Sequence, residues 1–238
     1  RQIRAKMHSR QGPGIWQDYR DIIKLMTRQS VAPRDSGIIF RIMPYVLLSS
    51  MLLLAMALPV VTNTSLFSSA ADIIIVLYIF ALFRFFFSLS GLDTGSPFAG
   101  IGASRELTLG VLVEPTLFLG LLVVALIAGS TNIGTISATM SEGWVSPTAT
   151  LLALLACGFA TFIEMGKIPF DVAEAEQELQ EGPLTEYSGS GFAMVKLGIG
   201  LKQVVVAVLF LSIFFPFGNA STFTVGSVLL AMGLLLSL

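Results

Sequence analysis

Six apolar runs divide the chain, at about 44–61, 72–90, 107–129, 148–168, 193–217 and 223–238. Each is close to the ~20 residues with which an α-helix crosses a hydrocarbon layer of about 30 Å. They are too long and too many for a signal peptide. The pattern predicts an all-α polytopic membrane protein, a single integral domain over 1–238 with six visible spans and no linker separating a second domain. The last run is still apolar at Leu238 and the chain opens on Arg1, so a piece of a longer chain with further spans is expected. A different periodicity precedes the first run. In "IWQDYRDIIKLMTRQ", Trp16, Tyr19, Ile23 and Met26 recur at helical spacing with charges on the other side, which predicts an amphipathic helix lying in the membrane interface. "QGPG" just before it is a turn signal.

Charge orients this pattern. Residues 1–41 hold nine Lys or Arg, whereas the connections 62–71, 130–147 and 218–222 hold none. The positive-inside rule places the basic segment 1–43, the connection 91–106 and the connection 169–192 on the cytoplasmic side. Asp18, Asp21 and Asp35 interrupt the basic arm and it carries no reader motif, so a lipid bilayer is its expected contact and nucleic acid is not. With one Cys (Cys157) and one His (His8), the chain cannot alone hold an iron–sulfur cluster, a bis-liganded haem or a structural zinc. "GIGASRE" lacks the third glycine of a dinucleotide loop and follows a membrane span. No repeat between halves suggests a stand-alone secondary transporter.

Three ionisable residues interrupt apolar runs: Arg84, Glu114 and Glu164. Such residues cost roughly 2.5–3.5 kcal/mol or more at the bilayer centre and therefore face a partner or a wet cavity. At ~1.5 Å per residue, Arg84 lies ~9 Å from the cytoplasmic end of its span, Glu114 ~10 Å, and Glu164 about one turn in. All three can share one layer, either as a static ion pair joining helices or as a site where an incompletely paired acid carries a proton. Pro115 directly follows Glu114, frees the carbonyl of Val111 and bends the span.

Acids crowd the connection after Glu164. Seven of the chain's 15 carboxylates fall between Glu164 and Glu186, offset only by Lys167, for a formal charge of −6. Pro169 ends or kinks the span. Glu174, Glu178 and Glu181 then follow at i, i+4 and i+7 on one face of a short helix, with Glu176 pointing elsewhere, until Gly182-Pro183 stops the run. Like charges at this spacing repel and share protons. A solvated acidic loop is one reading; calcium binding is a weaker one, because the EF-hand spacing and its central glycine are missing. The interleaved Ile168, Phe170, Val172, Leu179, Leu184 and Tyr187 favour a packed, partly re-entrant segment.

The stretch "EMGKIPFDVAEAEQELQEG…TEYSG" resembles the signature loop of the complex I subunit 1 family, E-T-N-R-x-P-F-D-L-x-E-A-E-x-E-L followed by T-E-Y-S-G. "GASRELTLGVLVE" is similar to that family's G-A-x-R segment, with a Glu nine residues after the Arg, and "GPG…DIIKL" to its first cytoplasmic loop. "FFFSLSGLDTGSPFAGIGASRE" looks like the hydrogenase-4 and formate hydrogenlyase branch. The resemblance implies a bundle of about eight spans in the full chain, in the bacterial cytoplasmic (inner) membrane. It also implies a coupling and anchoring role without a catalytic centre or cofactor of its own. A nickel–iron centre and iron–sulfur clusters would sit in partners: a hydrogenase large subunit and an iron–sulfur subunit on the cytoplasmic face, beside antiporter-like membrane subunits. Carried over position by position, Glu114, Glu164, Asp171, Glu174, Glu176, Glu178 and Glu186 would form a charged path, with Arg84, Arg105 and Lys167 as electrostatic partners. Lys167 departs from the family's Arg, and a point charge lacks the planar fork, which weighs against quinone binding. A quinone-site subunit and a passive anchor stay open as alternatives.

Overall fold

The computed structural model describes residues 9, 12, 14, 16–33, 36–58, 71–167, 169–173 and 182–216. The apolar run 223–238 and the acids Glu174, Glu176, Glu178 and Glu181 lie outside the described residues. Among the described residues there are seven α-helices and no strand: α1 (Gln17–Met26), α2 (Ile38–Ala57), α3 (Ile73–Asp93), α4 (Pro97–Ala128), α5 (Ile133–Glu142), α6 (Pro147–Glu164) and α7 (Gly189–Phe214). A 3-10 turn, Gly182–Leu184, precedes α7. Among the described residues five helices, α2, α3, α4, α6 and α7, are long and apolar enough to cross a membrane. Their outward side chains are as apolar as the inward ones. Tyr78, Val111, Leu126 and Leu152 are largely exposed, while Met43, Leu47, Phe80 and Val124 are fully buried. A helix that is apolar all round needs an apolar surrounding on its outer face.

Helix α2 packs between α7 and α3, and α4 packs between α3 and α6. Caps set the ends. The Asp72 carboxylate accepts from the N–H of Ile74 at 2.9 Å, and the Asn132 side chain accepts from the N–H of Gly134 at 2.9 Å. The two caps are joined: Ile73 N–H donates to Thr131 O and Ile133 N–H to Ala71 O, which ties the starts of α3 and α5 at one end of the bundle. Pro97 and Pro147 occupy first-turn positions, where their missing N–H costs nothing. Helix α1 buries no residue, and Trp16, Tyr19, Ile23 and Met26 form an exposed apolar face.

At the opposite end, α2 starts at Ile38, six residues before the apolar run begins, and takes Pro44 into its second turn. Proline has no N–H for the carbonyl four residues back, which leaves Phe40 O without its helical donor. The Tyr187 hydroxyl donates to that carbonyl at 2.9 Å, and its ring stacks on Phe40 with centroids 4.1 Å apart. Burial pushes the Tyr187 phenol well above its ordinary value, so it remains a donor across the physiological pH range. The same turn of α2 is capped from α3: Asp93 Oδ2 accepts from Phe40 N–H at 3.0 Å. A side chain on Gly37 would exclude it, since a Cβ there would lie 2.5 Å from Asp93 Oδ1.

The acidic connection is seated on α4. A Cβ on Gly102 would meet Pro183 Cδ at 2.7 Å and the carbonyl oxygen of Ala173 at 2.8 Å. Gly182 adopts φ +53°, the left-handed conformation open to glycine, and turns back against Ala173. Both ends of the acidic segment therefore meet at one point of α4.

Replacing Tyr187 by Phe keeps the stack on Phe40 but leaves a buried carbonyl unsatisfied. The expected loss is about 1–3 kcal/mol, read as a lower thermal midpoint in detergent, with a larger loss for Tyr187→Ala. An unchanged midpoint for Tyr187→Phe would show that Phe40 O finds another donor.

Candidate functional site

Arg84 lies in the middle of α3 with its side chain 6% exposed. It reaches α4 because residue 110 is glycine: a Cβ there would lie 2.5 Å from Arg84 Cδ. Glu106, Gly110 and Glu114 stand at i, i+4 and i+8, so the two acids flank the glycine along one face of α4. The guanidinium uses each of its three nitrogens. Nε donates to Glu106 Oε1 at 3.0 Å, Nη1 to Glu114 Oε1 at 2.6 Å and Nη2 to Glu164 Oε2 at 2.5 Å. Glu164 ends α6, so one planar cation joins three helices. Lysine, a point charge on a flexible stem, has no comparable fork.

A second cation completes the group from α7. Lys202 Nζ sits 3.0 Å from Glu164 Oε1, an oxygen with no other hydrogen-bond partner among the described residues, and 5.2 Å above the Phe83 ring. Next to it, Gln203 Nε2 donates to Met165 O at 3.1 Å and holds α7 against the end of α6. Burying charge is costly unless each ion is paired and hydrogen-bonded, and here two cations face three carboxylates. Enclosure is graded: the Glu164 side chain is 2% exposed, Glu106 16% and Glu114 31%.

A cavity of about 60 Å³ adjoins the group, lined by Arg84, Glu106, Glu164, Asp171, Lys202 and Gln203 among others. A water needs roughly 10–15 Å³ of such space and two or more polar partners, so the cavity suits a few waters. Its wall includes Asp171, Val172 and Ala173 from the acidic connection.

Of the residues singled out by sequence, Arg84, Glu114 and Glu164 come together, and Asp171 joins them through the cavity wall. Glu186 is half-buried in the turn before Tyr187, Arg105 is half-buried on α4 one residue before Glu106, and Lys167 is exposed. Glu174, Glu176 and Glu178 lie outside the described residues. The expected two acids on one guanidinium are instead three acids on two cations, because Glu106 and Lys202 belong to the group. Both had a signal. Lys202 interrupts an apolar run just as Arg84 does, and Glu106 stands two helical turns before Glu114 on the same face.

The NADH dehydrogenase family matches residues 1–237. The chain is 68% identical over 232 residues to hydrogenase-4 component C of Escherichia coli (strain K12), covering 98% of this chain and 74% of that protein. It is 60% identical over 233 residues to formate hydrogenlyase subunit 4 of the same organism, covering 98% and 76%. To NADH-ubiquinone oxidoreductase chain 1 of Sminthopsis macroura it is 32% identical over 222 residues, covering 89% and 69%. A chain of the membrane-bound sulfane sulfur reductase, an archaeal respiratory membrane complex, shares the fold with a TM-score of 0.86 at 24% identity, over 100% of this chain and 80% of that one.

Arg84→Met would remove the cation that Glu106, Glu114 and Glu164 share, leaving Lys202 on Glu164. The expected destabilisation is about 3–5 kcal/mol, the cost of breaking a buried pair from one side, measured by thermal unfolding in detergent. Arg84→Lys keeps the charge but not the three-way geometry and falls in between. A variant Arg84→Met as stable as the parent would mean that the three acids are not held as ions.

Proposed function

The chain belongs to the NADH dehydrogenase family, and from that premise we propose that it is the membrane-anchoring and coupling subunit of an energy-converting nickel–iron hydrogenase of the hydrogenase-4 or formate hydrogenlyase type. Identity favours this branch over a quinone-reducing one, at 68% and 60% against 32% for the complex I chain 1 relative. In this reading the chain is a multi-pass protein of the bacterial cytoplasmic membrane with its basic and acidic segments in the cytoplasm. A hydrogenase large subunit and an iron–sulfur subunit dock there and carry the nickel–iron centre and the clusters. Antiporter-like subunits extend the membrane arm. This chain holds no catalytic centre and supplies the charged connection between the two arms.

The observation that carries the coupling role is the position of the Arg84–Lys202 group. Arg84, Glu106, Glu164 and Lys202 line one cavity together with Asp171 of the acidic connection. A change in charge or protonation at the docked arm would enter through the connection (Glu186, Glu178, Glu176, Glu174 and Asp171, with Arg105 and Lys167 beside them). It would then reach Glu164, and Arg84 would transmit it to Glu106 and Glu114. Each member is an acid or its cation, which is what a relay of protons or of electrostatic shifts requires.

Glu114→Gln in the intact complex separates coupling from chemistry. Hydrogen evolution from reduced viologen is expected to persist, while ion transport falls by about tenfold or more, as for the loss of one proton-transfer group. Unchanged transport would remove Glu114 from the path. A parent complex that reduces a quinone analogue and evolves no hydrogen would overturn the assignment to the hydrogenase branch.

A further inference from the structure

Glu114 is the least enclosed member of the buried charge group, with 31% of its side chain open. It stands well inside a membrane-spanning helix, about 21 Å along the axis from Ala128 and about 26 Å from Pro97 at 1.5 Å per residue. Its neighbours on the outer face of α4 are Leu107, Val111 and Phe118, at i−7, i−3 and i+4, with exposures of 40%, 74% and 39%. A half-open carboxylate framed by apolar side chains cannot simply face hydrocarbon. In the described ion pairs of the group, two cations serve three carboxylates. Residues 59–70 and 217–238, which lie outside the described bundle, contain no Lys, Arg or His.

We propose that the Leu107–Val111–Glu114–Phe118 face of α4 is an interface with a transmembrane helix of a neighbouring subunit, which presents a Lys or Arg side chain to Glu114. The apolar members bury area against that helix, and the incoming cation meets the most open of the three carboxylates. Arg84 then stays committed to its three acids while Glu114 is shared between two chains. The interface rests on the functional reading above only in requiring neighbouring membrane subunits; it does not require that charge move along the path.

The test uses the intact purified complex with the photo-crosslinker p-benzoylphenylalanine in place of Val111, which leaves every charged residue untouched. The expected adduct, mapped by mass spectrometry, joins this chain to a membrane-spanning segment of another subunit with a Lys or Arg within about one turn of the linked position. Adducts with lipid alone, with this same chain, or with a segment lacking a basic residue would each overturn the proposal. Charge reversal gives a second readout. Glu114→Lys should lower recovery of the crosslinked subunit with the tagged chain by at least about tenfold, the scale of a broken interfacial charge pair. Full recovery would sink the charge match. The two readings fail separately. Normal ion transport in Glu114→Gln together with the expected adduct removes coupling and keeps the interface. Lost transport with lipid adducts only does the reverse.

Discussion

The described bundle depends on one guanidinium that has been taken out of water. Arg84 sits at mid-span among apolar residues, where an unpaired charge would be prohibitively costly. Its three nitrogens must each find an acceptor, and the acceptors come from α4 and from the end of α6. That requirement fixes how α3, α4 and α6 rotate about their own axes, which apolar packing alone leaves loosely specified. Inside a membrane, apolar contact between helices is worth little more than contact with lipid, so a polar group of this kind defines the arrangement. Gly110 is its local condition, because the arginine stem lies where a side chain on α4 would be.

The end of the bundle where the basic arm and the acidic connection converge is held by a different set of contacts. Pro44 strips a donor from α2, Tyr187 replaces it, and Asp93 caps the same turn from α3. Val31 and Ser188 exchange hydrogen bonds at 2.8 and 3.0 Å, so the exit of the basic arm is tied to the start of α7. The base of the acidic connection closes on Gly102. A partner that binds the arm or the connection would thus act on a frame built from α2, α3, α4 and α7, and the charge group shares a cavity wall with the acidic connection. This contiguity gives the coupling reading a physical basis beyond the presence of acids.

Much of this is legible in the residues. Apolar runs of about 20 mark the spans, and the spacing of Trp16, Tyr19, Ile23 and Met26 marks the exposed face of α1, because both signals are local periodicities. Arg84, Glu114 and Glu164 stand out because charge in an apolar run is rare. Lys202 obeys the same rule, but a lysine within reach of a span's end also reads as a topology marker. Glu106 falls at the edge of its run, so neither residue enters the charge balance that the sequence suggests. The start of α2 at Ile38 escapes for another reason. Residues 38–43 include Arg41, and the early turns are stabilised by Asp93 and Tyr187, which lie 53 and 147 residues away from Phe40 in sequence. No window along the chain contains those partners. The seat at Gly102 is equally invisible, since a glycine needed for close approach looks like any other until the approaching backbone is known.

The charge group also divides into fixed and adjustable members. Arg84 has three contacts and is wedged against Gly110, and Glu164 is held from both sides by Arg84 and Lys202. Lys202, Glu106 and Glu114, by contrast, each make a single ion-pair contact within the group, and Lys202 and Glu114 lie at its two ends. Lys202 faces the cavity shared with Asp171, whereas Glu114 faces the outer side of α4. A cation at one end and an acid at the other, joined through a rigid guanidinium, allow a disturbance at the cavity to alter the field at Glu114 without moving any helix. Protonation of Glu164 would remove one negative charge from the centre of the group. The potential at Glu114 would then become more positive, and the guanidinium would hold that carboxylate more strongly. The direction of that response follows from Coulomb's law alone, so the group can pass on a signal even if no proton travels its full length.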